Sequence, residues 1–234
     1  MHSSKYTYGI WRTDKEKEPG FSHELISPDT YNKDFIEKTN LDDLFVPQYE
    51  GVDTINKALL RNLERIPNND WLGTRVGDKY EWMTYRDAYE TAKSLSFGFN
   101  ELGLCPENKF DDGSDSTERT WRMVGIQSKN RKEWVLTNIA NMLLGASTVA
   151  LYDTLGADAG KYIINQTELI TMVVSNDYVK QLCKWKKEDE DAGGEKMHRL
   201  KNIVCFETIS DEDKKTAEEH GITLYSFADV IAKG

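Results

Sequence analysis

Residues 121–151 read WRMVGIQSKNRKEWVLTNIANMLLGASTVAL, and this stretch decides the fold. Residues 121–126 form a short run that is typical of a strand, and residues 147–151 form a second one. Between them, residues 131–144 place apolar side chains three and four positions apart, which is typical of one face of a helix. A helix between two strands is typical of a crossover that joins parallel neighbours. We therefore predict a strand, helix, strand unit of a parallel sheet.

The same alternation continues toward the C-terminus. It predicts helices at 157–167, 177–185 and 211–220, strands at 170–174, 202–206 and 222–225, and a last turn at 228–231. Residues 186–196 (KKEDEDAGGEK) are so rich in charge that we predict a surface loop inserted into this pattern. Together these segments predict an α/β fold, with a largely parallel sheet and flanking helices.

The upstream sequence predicts a helix, a hairpin and a second helix. The first helix has apolar residues at helical spacing from Ile55 and ends before Pro67. Residues 71–76 and 80–85 are aromatic or β-branched runs separated by a short turn, which predicts a small antiparallel β-hairpin. The second helix follows the hairpin and is closed by Gly103.

The composition is that of an ordinary globular protein. The 234 residues are 38% hydrophobic and 30% charged, which excludes a disordered, a collagen-like or a disulfide-rich chain. Thirty Lys and Arg against 40 Asp and Glu give a formal net charge of −10, which argues against nucleic acid as a partner. No signal peptide and no uninterrupted apolar run of about 20 residues are seen. We therefore expect a soluble, intracellular chain without a transmembrane segment.

The residue types that bind metals do not form a recognisable pattern. The three cysteines are odd in number and far apart, so we interpret them as reduced thiols. Cys183, His198 and Cys205 are spaced unlike a zinc finger. The acidic residues of 106–120 lack the register of a calcium loop, so we predict a solvated loop there. No metal ligand is assigned.

A search for catalytic motifs assigns no site residue. Residues 156–162 (GADAGKY) have one residue too few between the glycines for a phosphate loop, and Tyr162 stands where a hydroxyl ligand belongs. We interpret them as a loop and a helix start. The chain contains no G-x-G-x-x-G and no G-x-S-x-G. Its histidines lie in polar or charged stretches that do not indicate a general base: His2, His23, His198 and His220.

Polar residues follow the strand predicted at 147–151. Tyr152, Asp153, Thr154 and Gly156 lie where the carboxyl end of a parallel strand places ligands. The alternative is a turn in which Asp153 or Thr154 caps the next helix, and we favour that interpretation.

Four segments resemble the N-terminal region of long-chain acyl-CoA synthetases, which belong to the adenylate-forming, or AMP-binding, superfamily. They are YEWMTY (80–85), VGIQSKNR (124–131) with Glu133-Trp134, LYDTLG (151–156) and YIINQTE (162–168). The resemblance extends from about residue 43 to the C-terminus, and YGIW (8–11) is similar to an aromatic segment that opens many members. Residues 1–45 are polar and show no sustained period, which predicts a polar N-terminal extension. The resemblance implies an incomplete N-terminal part of an AMP-binding domain over 46–234.

The resemblance implies a ligase reaction for the full-length family. A fatty acid and ATP give an acyl-adenylate and pyrophosphate, with magnesium offsetting the phosphate charge, and coenzyme A then displaces AMP. The family's phosphate loop, adenine motif, ribose-binding Asp and catalytic lysine all lie downstream of the matched region. No catalytic, cofactor-binding or metal residue therefore carries over to this chain. Trp121 and Trp134 are expected in the core rather than in an acyl pocket.

Two hypotheses follow from the resemblance. In the first, the chain is the N-terminal portion of a long-chain fatty acid–CoA ligase and is not catalytic alone. In the second, it is a non-catalytic scaffold or subunit of a larger assembly. Either way, the remainder of the synthetase or a partner chain is expected to cover exposed apolar surface, and a homodimer would fit the family. A cytoplasmic location, or a peripheral one on an organelle membrane, is expected. A small enzyme with chemistry of its own is disfavoured by the empty motif search.

Overall fold

The structure is a computed structural model. It describes residues 10–13, 16–26, 51–110, 119–152, 154–194 and 197–234. The chain divides into two units, residues 1–54 and residues 55–234. In the first unit, β1 (Ile10–Trp11) pairs antiparallel with β2 (Leu25–Ile26). The side chain of Arg12 lies near that of Glu24, with 3.7 Å between Nη1 and Oε2.

The second unit begins with the predicted helix, hairpin and helix. Helix α1 spans Ile55–Arg65, and the hairpin pairs β3 (Asp70–Val76) with β4 (Lys79–Thr84). The turn between the two strands has a glycine with φ +60° at its first position, where an L side chain would be strained. Helix α2 (Tyr85–Glu101) starts at Thr84, whose hydroxyl oxygen accepts the backbone N–H of Asp87.

A second small antiparallel pair follows α2. Strand β5 (Asn108–Phe110) pairs with β6 (Arg119–Trp121), and residues 111–118 between them lie outside the described residues. The solvated loop predicted over 106–120 is therefore wrong at both ends, because these ends pair as strands. The strand predicted at 121–126 instead runs from Met123, since Trp121 belongs to β6.

Five parallel strands form the main sheet, in the order β11-β10-β9-β7-β8. Their bounds are β7 Met123–Gln127, β8 Ser147–Leu151, β9 Thr171–Val174, β10 Asn202–Cys205 and β11 Thr223–Ser226. The helices that join or follow them are α3 Lys132–Leu143, α4 Ala157–Gln166, α5 Val179–Asp191, α6 Asp211–Glu219 and α7 Phe227–Lys233. The predicted α/β class, with a parallel sheet, flanking helices and a small hairpin, is confirmed.

Two buried cores lie on opposite faces of this sheet. Helices α1, α2, α3 and α7 contribute to the core that contains Val124, Val173 and Val204. Helices α4, α5 and α6 contribute to the core that contains Met172 and Ile203. Since neighbouring residues of one strand point to opposite faces, Met172 and Val173 serve different cores.

Gly98 sets how closely α7 packs on α2. A Cβ atom on Gly98 would lie 1.9 Å from the carbonyl oxygen of Val230, inside van der Waals contact with the backbone. The helices can therefore touch only because this position has no side chain.

Two sequence predictions gave the wrong burial for particular side chains. Trp121 was expected in the core but is 42% exposed, because it lies in the small β5–β6 pair, while Trp134 is half-buried. The charged segment 186–196 was expected to be a loop, but α5 continues through it to Asp191. Lys186 and Asp189 are buried there, and residues 195–196 lie outside the described residues.

The β3–β4 hairpin exposes aromatic side chains. Tyr80 and Trp82 are 59% and 54% exposed, and their rings stack with centroids 5.8 Å apart. In the part of the chain that the structure describes, no helix has the length and apolar character needed to span a bilayer.

Candidate functional site

The carboxyl ends of the parallel strands meet at one edge of the sheet, which we call the carboxyl edge. Strand β7 ends there at Gln127, β9 at Val174 and β10 at Cys205. The chain leaves β7 toward β8 on one side and leaves β9 toward β10 on the other, so the strand order reverses between β7 and β9. In open α/β sheets, such a reversal opens a crevice in which ligands bind. The carboxyl edge is therefore the candidate site.

Arg131 occupies this reversal point. It ends the loop after β7, just before α3, and its Nε donates to Glu133 Oε2 at 2.7 Å. Its Nη1 donates to Glu207 Oε1, and the guanidinium lies 4.7 Å from the centroid of the Phe206 ring. Burial disfavours the charge on Arg131, but the hydrogen bonds and charges of the two carboxylates outweigh it and raise the Arg131 pKa.

Glu207 joins the loops that follow β9 and β10. While Oε1 accepts from Arg131, Oε2 accepts the backbone N–H of Asn176 at 2.8 Å. Burial would raise the pKa of Glu207, but the bonds from Arg131 and from the Asn176 backbone outweigh it and lower the pKa. A single carboxylate and a single guanidinium therefore connect three loops of the carboxyl edge.

Cys205 is the nearest thiol to this network and is a poor nucleophile. Its Sγ lies 3.7 Å from Glu207 Oε2 and 3.9 Å from Asn176 Oδ1. Burial, reinforced by the charge of Glu207, raises the pKa of Cys205 to about 11. The side chain is therefore a neutral thiol near neutral pH.

A cleft of about 400 Å³ opens beside Glu207, at the ends of β10 and β11. It is lined by Phe206, Glu207, Thr208, Ile209, Lys214, Leu224, Tyr225, Ser226, Ala228 and Asp229. The Ser226 hydroxyl already accepts the backbone N–H of Asp229 at 3.0 Å, as the N-cap of α7. Glu207 and Ser226 of this lining therefore already have partners within the fold.

The residues singled out after β8 do not join this network. Tyr152 is 69% exposed, and the N-cap of α4 is Gly156, without a side-chain cap. The predicted cap is therefore wrong for Thr154, while Asp153 lies outside the described residues. The helix start predicted at 156–162 is confirmed. Gly160 packs there so closely that an added Cβ would lie 2.5 Å from the Trp185 ring.

The sulfur and imidazole groups of the described residues do not form a metal-binding cluster. Cys105, Cys183 and Cys205 are buried free thiols. His198 is exposed and His220 half-buried, while His23 Nδ1 lies 3.1 Å from the Arg12 carbonyl oxygen in the first unit. His2 lies outside the described residues. Among the residues that the structure describes, no three metal-binding side chains lie close enough to hold an ion.

Sequence reasoning missed Glu207 and Asn176 as parts of the carboxyl edge. Each follows a buried strand by two residues, which is the position of edge loops in a parallel sheet. That position was the available signal, but the partner of each residue lies 31 to 76 residues away along the chain. The network offers the carboxylates of Glu133 and Glu207, a guanidinium that is hydrogen-bonded to both, and a neutral thiol. It can position neighbouring groups, but it contains no activated nucleophile or free base.

Comparison with known proteins identifies relatives of this fold. The family model of AMP-binding enzymes matches residues 61–225. Fatty acyl-CoA synthetase B of Dictyostelium discoideum is 29% identical over 191 residues, covering 79% of this chain and 25% of that protein. Long chain acyl-CoA synthetase 4 of Arabidopsis thaliana is 29% identical over 197 residues, covering 82% and 26%. The chain spans about a quarter of the length of the curated relatives it matches.

Solved structures share the fold at lower identity. The adenylation domain of a carboxylate reductase from Mycobacterium chelonae aligns with a TM-score of 0.62 at 15% identity, over 80% of this chain and 29% of that one. Anthranilate CoA ligase AuaEII, solved with anthranoyl-AMP, aligns with a TM-score of 0.51 at 21% identity, over 74% and 27%. These alignments establish a common architecture.

Proposed function

Because the chain belongs to the AMP-binding enzyme family, we propose that it is the N-terminal portion of a long-chain fatty acid–CoA ligase. Such a ligase converts a fatty acid, ATP and coenzyme A to acyl-CoA, AMP and pyrophosphate. The extent of the family match carries the proposal, since it begins in α1, reaches β11 and so takes in the whole parallel sheet. Relatives that are 29% identical are named as acyl-CoA synthetases, which supports the long-chain substrate class.

In this function the chain supplies framework rather than reacting groups. Arg131 and Glu207 fix the loops at the carboxyl edge. Both stay charged near neutral pH, because Glu207 helps to raise the pKa of Arg131 and Arg131 helps to lower the pKa of Glu207. A fixed edge would hold one wall of the crevice in place, while groups elsewhere in the ligase perform the chemistry.

ATP, magnesium and coenzyme A belong to the proposed ligase as a whole. The described residues do not fit these groups by themselves: the carboxylates of the carboxyl edge are engaged by Arg131 and Asn176, and no metal-binding cluster lies among the described side chains. We assign no catalytic, cofactor-binding or metal residue to this chain and derive no step through these cofactors.

The organisation and surroundings of the chain are part of the proposal. Residues 1–45 are a polar extension and residues 46–234 an incomplete AMP-binding domain. Its partner is the remainder of a ligase, or a second chain, that covers exposed aromatic groups such as Trp82; a homodimer is one arrangement of this kind. Three buried free thiols support an intracellular location, in the cytoplasm or on the surface of an organelle membrane.

A chimera tests the proposal. The segment of Arabidopsis thaliana long chain acyl-CoA synthetase 4 that aligns with this chain, about 197 residues, is replaced by the aligned residues of this chain. We expect ATP-dependent palmitoyl-CoA formation above that of the Arabidopsis enzyme with the segment deleted. The matched control carries Arg131→Ala in the same chimera and should lose activity as the carboxyl edge loosens. A chimera that folds but forms no more product than the deletion variant contradicts the proposal.

The purified chain alone separates the ligase portion from a scaffold. We expect it neither to bind ATP in calorimetry nor to form palmitoyl-CoA, and formation of the product would refute the claim that it is incomplete. The exposed Tyr80–Trp82 pair favours the scaffold as the second candidate. That function is supported instead if the chimera is inactive while Trp82→Ser abolishes assembly of the chain with a co-purifying subunit.

A further inference from the structure

A cleft lies at the opposite edge of the sheet, where β10 and β11 begin. We call this region the amino edge. Its volume is about 280 Å³, and its lining is almost entirely titratable: Lys186, Glu190, His198, Lys201, Glu219, His220 and Gly221. The lining comes from α5, from the segment before β10 and from the end of α6. Two of the four histidines of the chain thus face one cleft with two lysines.

Lys186 is the buried cation of this cleft. The residue is 2% exposed, and its ammonium donates to the carbonyl oxygen of Leu200 at 2.6 Å. An ammonium carries three N–H donors, so one bond leaves two of them unused. Among the described residues, no carboxylate oxygen lies within 4 Å of the Lys186 ammonium, which is the limit for an ion pair. Burial and the charge of Lys201 both lower the pKa of Lys186, as expected of a cation that lacks a close counter-ion.

The neighbouring lysines show that this arrangement is particular to Lys186. Lys187, the next residue, is exposed and forms an ion pair with Asp191 at 2.7 Å. Lys184 lies 3.8 Å from Glu188, one helical turn away. Partners were therefore available along α5, but the side chain of Lys186 points into the sheet edge instead. A buried charge with unused donors is costly unless something compensates it.

We propose that the amino-edge cleft binds a phosphate group, which accepts hydrogen bonds from the buried ammonium of Lys186 and from Lys201, His198 and His220 around it. A phosphate fits better than a carboxylate because its oxygens can accept hydrogen bonds from donors on several sides of the cleft, which is also lined by Glu190 and Glu219. This site is independent of the proposed ligase function.

The charges that line the cleft come from three parts of the fold. Lys186 and Glu190 lie on α5, Lys201 precedes β10, and Glu219 ends α6. The formal charges of the two lysines and the two glutamates balance, so we expect binding to depend on the unused donors of the buried Lys186 ammonium rather than on a net positive cleft.

Imidazole NMR of the full chain is the test. Inorganic phosphate is titrated against sodium chloride of equal ionic strength, with glycerol 3-phosphate and acetate as further arms. We expect saturable shifts of the His198 and His220 resonances, half-complete at about 1–10 mM phosphate, with His23 of the first unit unmoved. A response to glycerol 3-phosphate shows that the site accepts a phosphate ester, and its absence restricts the site to the free ion. Acetate as effective as phosphate overturns the assignment.

Two variants separate binding from structure. Lys186→Met keeps the length of the side chain and should weaken phosphate binding about tenfold or more, whereas Lys187→Met should bind as wild type does. If Lys186→Met does not fold, Lys201→Met at the exposed rim gives the same comparison with a smaller loss. Chloride reproducing the phosphate shifts, or equal binding by the Lys186 and Lys187 variants, refutes the proposal.

Discussion

The two edges of the parallel sheet handle a cation in opposite ways. At the carboxyl edge, Arg131 is hydrogen-bonded to two carboxylates, and its side chain is still 27% exposed. At the amino edge, the whole Lys186 residue is only 2% exposed, yet its ammonium bonds to a single carbonyl oxygen. The less buried cation is thus the better satisfied one.

This difference shows that burial alone does not identify a structural charge. Glu133 and Glu207 accept hydrogen bonds from Arg131 and balance its charge, which lowers the free energy of the folded edge. Lys186 contributes one bond to the fold and keeps two donors at the surface of a cleft. The presence of carboxylates beside Arg131, and their absence within 4 Å of Lys186 among the described residues, therefore separates a structural clamp from a candidate binding group.

The largest expected effect comes from removing Arg131 from its contacts with Glu133 and Glu207, which together we call the clamp. Arg131→Ala leaves Glu133 and Glu207 without their shared partner, and we expect the free energy of unfolding to fall by about 2 kcal/mol. Urea denaturation followed by circular dichroism measures this change. Arg75→Ala is the matched control, because Arg75 is 69% exposed and 3.9 Å from Asp78, and it should cost less than about 0.5 kcal/mol. Equal losses in the two variants would show that the clamp contributes no more than a surface pair.

The same contrast explains what the sequence could predict. Helix α2 was predictable because Ala88, Ala92, Leu95 and Phe99 repeat at helical spacing, and all four are buried. The hairpin was predictable because Gly77 marks its turn. These signals are local in the chain. The bounds of β8 were predicted without error for the same reason, since Ser147–Leu151 is a short run of strand length with β-branched residues.

Neither cation could be assigned a role from the sequence. The Arg131–Glu207 contact spans 76 residues, and only the strand order brings the two side chains together. Lys186 and Asp189 lie in a run of charges that is typical of a solvated loop, but α5 turns them inward, where Asp189 accepts the backbone N–H of Met197. The absence of catalytic residues stays a prediction for this chain. The prediction that Trp121 lies in the core was wrong because Trp121 belongs to the small β5–β6 pair.

Thiol labelling should show which edge of the sheet loosens when Arg131 is replaced. In Arg131→Ala, the loops after β9 and β10 lose their connection, so Cys205 should react with iodoacetamide about tenfold faster, equivalent to about 1.4 kcal/mol of local stability. Cys105, in the other core, and Cys183, on α5, should keep their wild-type rates. Mass spectrometry of labelled peptides gives all three rates at once. A uniform rise would indicate global destabilisation instead of opening at one edge.

Acid titration is expected to show a smaller effect of the clamp. The pKa of Glu207 is lowered in the folded state, so its contribution is complete above the unfolded value of about 4.3 and is lost as the pH falls through the lower folded value. Because Glu207 is 40% exposed, we expect this loss to stay below about 1 kcal/mol. Free energies of unfolding between pH 6 and pH 3 should fall less steeply for Glu207→Gln than for wild type. Parallel curves would contradict the ion pair.

The smallest expected effect is an alkaline gain that belongs to the amino edge. Lys186 has a lowered folded-state pKa, so between that value and the unfolded value of about 10.4 the unfolded chain binds more protons, and raising the pH favours the folded state. Wild type should therefore gain stability relative to Lys186→Met between pH 7.5 and pH 10.5, measured by denaturation in phosphate-free buffer. Wild type should show no such gain relative to Lys187→Met, because the hydrogen bond and charge of Asp191 raise the pKa of the exposed Lys187, and a raised folded-state pKa gives an effect of the opposite sign. Adding phosphate at pH 7.5 should stabilise wild type but not Lys186→Met, since a ligand can offset the cost of the buried charge only where that charge is present. If the wild-type and Lys186→Met curves run parallel in both buffers, Lys186 is an ordinary structural cation and the contrast between the two edges is lost.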